Sequence, residues 1–122
     1  MKSYKDLKVY QRSFSLFLET HRFTMSLPKY ELYELGSQLR RSSDSVVSTS
    51  VERYGRRTSE ADFIKFLIYS HASNLETINH LQKIKSLYPD LEVKANSLII
   101  EYDVLGARVF KFIEYVKKEW KT

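Results

Sequence analysis

Eight positions near the C-terminus constrain this chain more than any other feature. Leu91, Ala95, Leu98, Tyr102, Leu105, Val109, Phe112 and Val116 are separated by steps of 4, 3, 4, 3, 4, 3 and 4 residues. That rhythm puts all of them on one seam of a helix that packs lengthwise against other helices. Burying a large apolar side chain is worth roughly 1.5–3 kcal/mol, so such a seam does not face water. With 122 residues, the chain has the length of one domain spanning 1–122, large enough to bury a core without disulfides or a structural metal.

Three further helices are predicted. The first spans about Asp6 to Leu27, with Leu7, Tyr10, Phe14, Phe17 and Met25 at helical spacing, and Pro28 ends it. The second runs from about Tyr30 to Tyr54 on the seam Leu32, Leu35, Leu39, Ser42 and Val46. Its second half is rich in serine, and small side chains let a neighbouring helix come close. Gly55 is expected to end it in the left-handed conformation. The third opens at Ser59, a candidate N-cap with Asp62 three residues on, and follows Phe63, Leu67, Leu75, Ile78 and Leu81 to Tyr88 and Pro89. Asp90 is the expected cap of the fourth. Only 3 Gly and 2 Pro interrupt the chain, which favours long helices and short turns. The fold class is therefore all-α, an antiparallel up-and-down four-helix bundle.

The apolar surface looks wider than one core requires. Ile99, Ile100, Phe110, Ile113 and Trp120 lie off the seam of the last helix, and Ile64, Phe66, Ile68 and Tyr69 widen the third. A helix apolar beyond its inward arc usually meets a second partner, so self-association is expected. The N-terminus shows no signal region. No stretch approaches the about 20 apolar residues that cross a bilayer, so no membrane partner is expected. The lack of cysteine fits a reducing, cytoplasmic location.

A net charge of +5 favours polyanionic partners, nucleic acid above all. Five of the eight arginines, Arg40, Arg41, Arg53, Arg56 and Arg57, lie between positions 40 and 57, with Tyr54 among them as a stacking surface. Guanidinium groups suit phosphate because they present several donors in one plane. The competing reading gives Arg53, Arg56 and Arg57 to the helix macrodipole, and pairs Arg40 and Arg41 with Glu31, Glu34 or Asp44. A second basic group comprises Lys2, Lys5, Lys8 and Arg12 with Lys117, Lys118 and Lys121. In an even-numbered bundle both groups fall at one end. Tyr30 and Tyr33 are expected to face solvent or a partner. Glu52 is read as one half of a structural salt bridge.

No catalytic constellation accompanies these features. No Glu precedes a His by three positions, so the di-iron pattern of helical bundles is missing. A phosphate-cradling Gly-rich loop is absent as well. No catalytic residue, metal or cofactor is expected.

The middle of the chain resembles a known family. Leu35-Gly36-Ser37-Gln38-Leu39-Arg40-Arg41-Ser42, then Ser45 to Arg56, then Asp62 to Ser70 are similar to the bacterial 23S-rRNA intervening-sequence proteins. So is the opening Tyr4-Lys5-Asp6-Leu7-Lys8-Val9-Tyr10-Gln11. Glu52, Gly55 and Arg56 match the family's central motif. Val47, Thr49 and Arg53 stand where that motif has Pro, Asn and Gly. The resemblance implies a four-helix bundle related to the accessory variability determinants of diversity-generating retroelements. It thereby implies a basic homopentamer that contacts nucleic acid and a reverse transcriptase. Two functions follow as expectations: a non-enzymatic homo-oligomer that binds nucleic acid, or a scaffold for a protein such as a reverse transcriptase with no nucleic-acid binding of its own.

Overall fold

The computed structural model describes residues 8–55 and 59–119, with side chains for 8–49 and 59–119. Four helices follow one another: α1 (Lys8–Thr24), α2 (Leu35–Gly55), α3 (Glu60–Leu87) and α4 (Glu92–Glu119). No strand occurs among the described residues. Each helix packs on its neighbours in sequence, and α1 closes the ring against α4. Cross-helix pairs run in opposite senses along their partners: Ser42 meets Thr77 while Val46 meets Ser70, and Phe63 meets Phe112 while Lys85 meets Asn96. The bundle is thus the antiparallel up-and-down arrangement that the periodicity predicts.

Helix limits differ from expectation at the connections. α1 ends at Thr24 instead of Leu27, because tight turns from Met25 to Arg22, Ser26 to Phe23 and Leu27 to Thr24 unwind the chain before Pro28. α2 starts at Leu35, not Tyr30. Residues Lys29–Glu31 form a separate 3-10 turn, which leaves Leu32 outside the helix. Gly55 is the last helical residue of α2, and no described glycine has a positive φ. Ser59 caps α3 as predicted, its side chain accepting from the Asp62 N–H at 3.1 Å. Asp90 does not cap α4; it sits inside the 3-10 turn Pro89–Leu91.

The α4 seam is inward as predicted. Ala95, Leu98, Tyr102, Leu105, Val109 and Val116 are buried, with Leu91 and Phe112 half-buried against them. Ile99 and Ile113 join the core, whereas Ile100 and Phe110 face out. Trp120 lies outside the described residues.

Two other seams are out of phase with the prediction. On α1 the inward line is Val9, Ser13, Leu16, Thr20 and Phe23, while Phe14 and Met25 are exposed. On α3 it is Phe63, Leu67, Ser70, Asn74, Thr77, Leu81 and Ile84, and Leu75 points outward. In both helices polar side chains occupy inward positions, so apolar spacing alone selects a face displaced from the true one.

Those polar residues meet at mid-height. The Thr20 and Tyr102 hydroxyls are 2.7 Å apart. Asn74 Nδ2 donates to the Tyr102 carbonyl at 2.9 Å, and Thr77 Oγ1 donates to Ser42 Oγ at 2.9 Å. Ser45 and Ser73 pair at 2.8 Å, and Ser70 Oγ donates to the Val46 carbonyl. The small side chains also draw α2 and α3 together, as the serine-rich half of α2 predicts. A Cβ at Gly106 would lie 3.0 Å from Asn74 Nδ2, so α4 approaches α3 closely at this height.

Candidate nucleic-acid interface

The topology brings the start of α1, the end of α2, the start of α3 and the end of α4 to one end of the bundle. Arg53 and Tyr54 belong to the last turn of α2, at that end. Their side chains, that of Glu52, and all of Arg56 and Arg57 lie outside the described residues. So do Lys2, Lys5 and Lys121 of the second basic group. Lys8, Lys117 and Lys118 are exposed there, and Lys117 lies 3.9 Å from Glu114.

Arg40 does not belong with this group. Thirteen residues of helix separate it from Arg53, about 20 Å along the axis. Its Nη1 donates to Thr24 Oγ1 at 2.9 Å and its Nη2 to the Leu32 carbonyl at 2.6 Å. The guanidinium therefore ties the end of α1 and the α1–α2 connection to α2, and does not pair with Glu31, Glu34 or Asp44. Gly36 makes room for this knot: a Cβ there would lie 3.0 Å from the Glu31 carbonyl oxygen and 3.1 Å from Arg40 Nη1. Sequence reasoning sees the charge of Arg40 but not its direction. The carbonyl it satisfies exists only because the chain unwinds before α2.

Arg41, one residue on, is exposed. It lines a cavity of about 350 Å³ between α2 and α3 with Gln38, Ser42, Ser45 and Glu76. This hollow carries one cation and one anion, so it does not make a strong phosphate site by itself.

The opposite end holds a cluster that no spacing pattern announces. Tyr88 OH donates to the buried Glu31 carboxylate, and the Tyr30 and Tyr88 hydroxyls are 3.1 Å apart. The hydrogen bond to Glu31, then that to Tyr30, pushes the Tyr88 phenol up from its ordinary value. The cluster joins the α1–α2 connection to the α3–α4 connection. Tyr30 and Tyr33 are both exposed, at 70% and 81%. Tyr33 has an open ring face, whereas the hydroxyl of Tyr30 is committed to the cluster.

Outward apolar side chains gather on α3 and α4: Ile68, Leu75, Ile100, Val104 and Phe110. A groove of about 270 Å³ runs between these helices, walled by His71, Leu75, Ala107 and Phe110 over Asn74 and Gly106. Ile64 and Phe66 are half-buried, and Tyr69 is exposed.

Among the described residues no group of three His, Asp or Glu side chains could hold a metal ion. His80 is buried with Nε2 3.4 Å from Glu76. His80 Nδ1 and Asn74 Oδ1 have no partner within the protein. No described helix is long and apolar enough to cross a membrane.

No curated protein matches the chain. The model of one protein family, described as 23S rRNA-intervening sequence protein, matches residues 5–110. That match spans all four helices and includes the opening segment and the central motif, so the chain belongs to the 23S rRNA-intervening sequence protein family.

Proposed function

We propose that this protein is a non-enzymatic homo-oligomer, pentameric as the resemblance to retroelement accessory determinants implies, that binds nucleic acid through its basic surface as an accessory factor. What supports this reading is the coexistence, on one small bundle, of an outward apolar face on α3 and α4 and a charge excess of +5. Exposed Ile68, Leu75, Ile100, Val104 and Phe110 are costly to leave in water, and a second copy of the chain would cover them. The positive excess then repeats around the assembly. Oligomerisation multiplies cations that are too few on one copy to hold a polyanion at physiological salt.

The arginines at the end of α2 are the first candidates for phosphate contact, with Arg41 beside the path. The test combines light scattering with fluorescence anisotropy on a labelled oligonucleotide. The expected mass is a multiple of 14.5 kDa, and affinity should fall as salt rises. Ile100→Glu with Phe110→Glu should return the mass to one chain. A monomeric wild type, or one that ignores oligonucleotides at low salt, overturns the reading. Reverse transcriptase capture that survives nuclease treatment, without oligonucleotide binding, would favour the scaffold instead.

A further inference from the structure

The cleft between α1 and α4 is the one hollow on the described surface walled by three cations. Lys8, Gln11, Arg12 and Ser15 from α1 and Arg108 from α4 line a space of about 300 Å³. Lys8 and Arg108 are separated by nearly the whole chain, and only closure of the bundle ring brings them together. Lys8 and Arg108 are exposed, and Arg12 is ion-paired with Glu101 on α4. That pair sits in the cleft wall with 34% of the Arg12 side chain and 38% of the Glu101 side chain still open to solvent. Three positive groups against one negative leave a net charge of +2 in a single hollow. The Arg12 fork is held in place rather than waving in water.

Tyr115 extends this surface. It lies two helical turns beyond Arg108 on the same face of α4, about 10 Å along the axis. Its ring is 61% exposed and leans on Phe112 at 6.4 Å between centroids, tilted by 40°. Phe112 packs against the core, so the tyrosine ring has a fixed backing. Cations that track a phosphate backbone beside a braced, exposed aromatic face are the elements by which proteins hold single strands. A duplex keeps its bases stacked inside and offers nothing for Tyr115 to receive.

We infer that the α1–α4 cleft seats the phosphodiester backbone of a single-stranded nucleic acid, with Lys8, Arg12 and Arg108 on phosphates and a base stacked on Tyr115. This inference rests on the nucleic-acid reading above and names a site distinct from the arginines of α2. The cleft opens toward the end where the α2–α3 connection lies, so one strand can pass from the first set of cations to the second.

The experiment measures anisotropy of a labelled single-stranded oligonucleotide against salt, for the full chain and four variants. Lys8→Glu with Arg108→Glu should weaken binding by at least about tenfold and flatten the slope of log affinity against log salt by about one unit. Arg108→Lys keeps the charge and should keep the slope. Tyr115→Ala should cost about fivefold or more on the single strand and nothing on a duplex of the same sequence. Glu101→Gln removes the anion from the cleft and should tighten binding, a gain that a damaged fold does not produce. If the wild type binds with a steep salt slope and both the double variant and Glu101→Gln leave it unchanged, the cleft is overturned and the general reading stands. If the wild type binds no oligonucleotide at low salt, both fall together.

Discussion

The mid-height layer of the bundle and the layers on either side of it are held by different physics. Toward one end, Leu16, Val46, Leu67, Leu105 and Val109 fill the interior, and toward the other Phe23, Leu39, Leu81, Ile84 and Leu98 do so. Between them Thr20, Ser42, Ser43, Asn74, Thr77 and Tyr102 form a band of hydrogen bonds drawn from all four helices. Apolar layers supply most of the driving force, because burial of hydrocarbon needs no particular geometry. The polar band adds little net energy, since each of its bonds replaces one made to water. It adds selection. A helix that slides by one turn keeps its apolar contacts but leaves Thr20, Tyr102 or Asn74 facing hydrocarbon, at a cost of roughly 1–3 kcal/mol per orphaned group.

The largest effect that separates the two kinds of layer should come from an apolar truncation. Leu105 is fully buried, so Leu105→Ala should lose about 2–5 kcal/mol in urea unfolding. A loss under 1 kcal/mol would mean that the layer is loosely packed and that the contrast is weaker than the burial implies.

Alkaline pH probes the band next. Burial raises the Tyr102 phenol from 10.0 to about 12, with the Glu19 charge adding to the rise and the hydroxyls of Thr20 and Ser43 opposing it. The folded state therefore keeps a proton that the unfolded chain gives up. Stability from this group is intact below pH 10 and is lost as pH climbs from 10 toward 12, about 3 kcal/mol in all. Tyr102→Phe should flatten that part of the pH profile relative to wild type in thermal unfolding. A parallel profile in the variant would show that other groups carry the alkaline transition.

Overpacking and hydroxyl removal give the smaller effects. Ser42→Leu forces a large side chain between α2 and α3 and should cost about 1–3 kcal/mol by chemical unfolding. Thr77→Val keeps the shape and deletes the bonds to Ser42 and to the Ser73 carbonyl, a loss of about 1 kcal/mol. If Ser42→Leu proves neutral, the band has slack and does not set the distance between α2 and α3.

The same contrast explains what could be read from the sequence. α4 was legible because its inward positions are apolar almost without exception, so period and burial coincide. α1 and α3 were legible as helices but not in phase. Ser13, Thr20, Ser70, Asn74 and Thr77 face inward and carry no hydropathy signal, while Phe14 and Leu75 face out and carry a strong one. Burial of those polar groups depends on partners supplied by other helices, which no window along the chain contains. The candidate site behaved alike. The arginine-rich stretch stood out by composition, yet Arg40 turned into the α1–α2 connection. Arg108 is isolated in sequence and meets Lys8 and Arg12 only through closure of the ring.

The band also orders events in time. Its hydroxyls and amide are satisfied only when all four rods are present, and Tyr102, on the last of them, bonds partners on the first and third. As the protein emerges from a ribosome, the earlier three-quarters cannot settle into final registry. The bundle has to wait for its closing segment and then lock in a single concerted step.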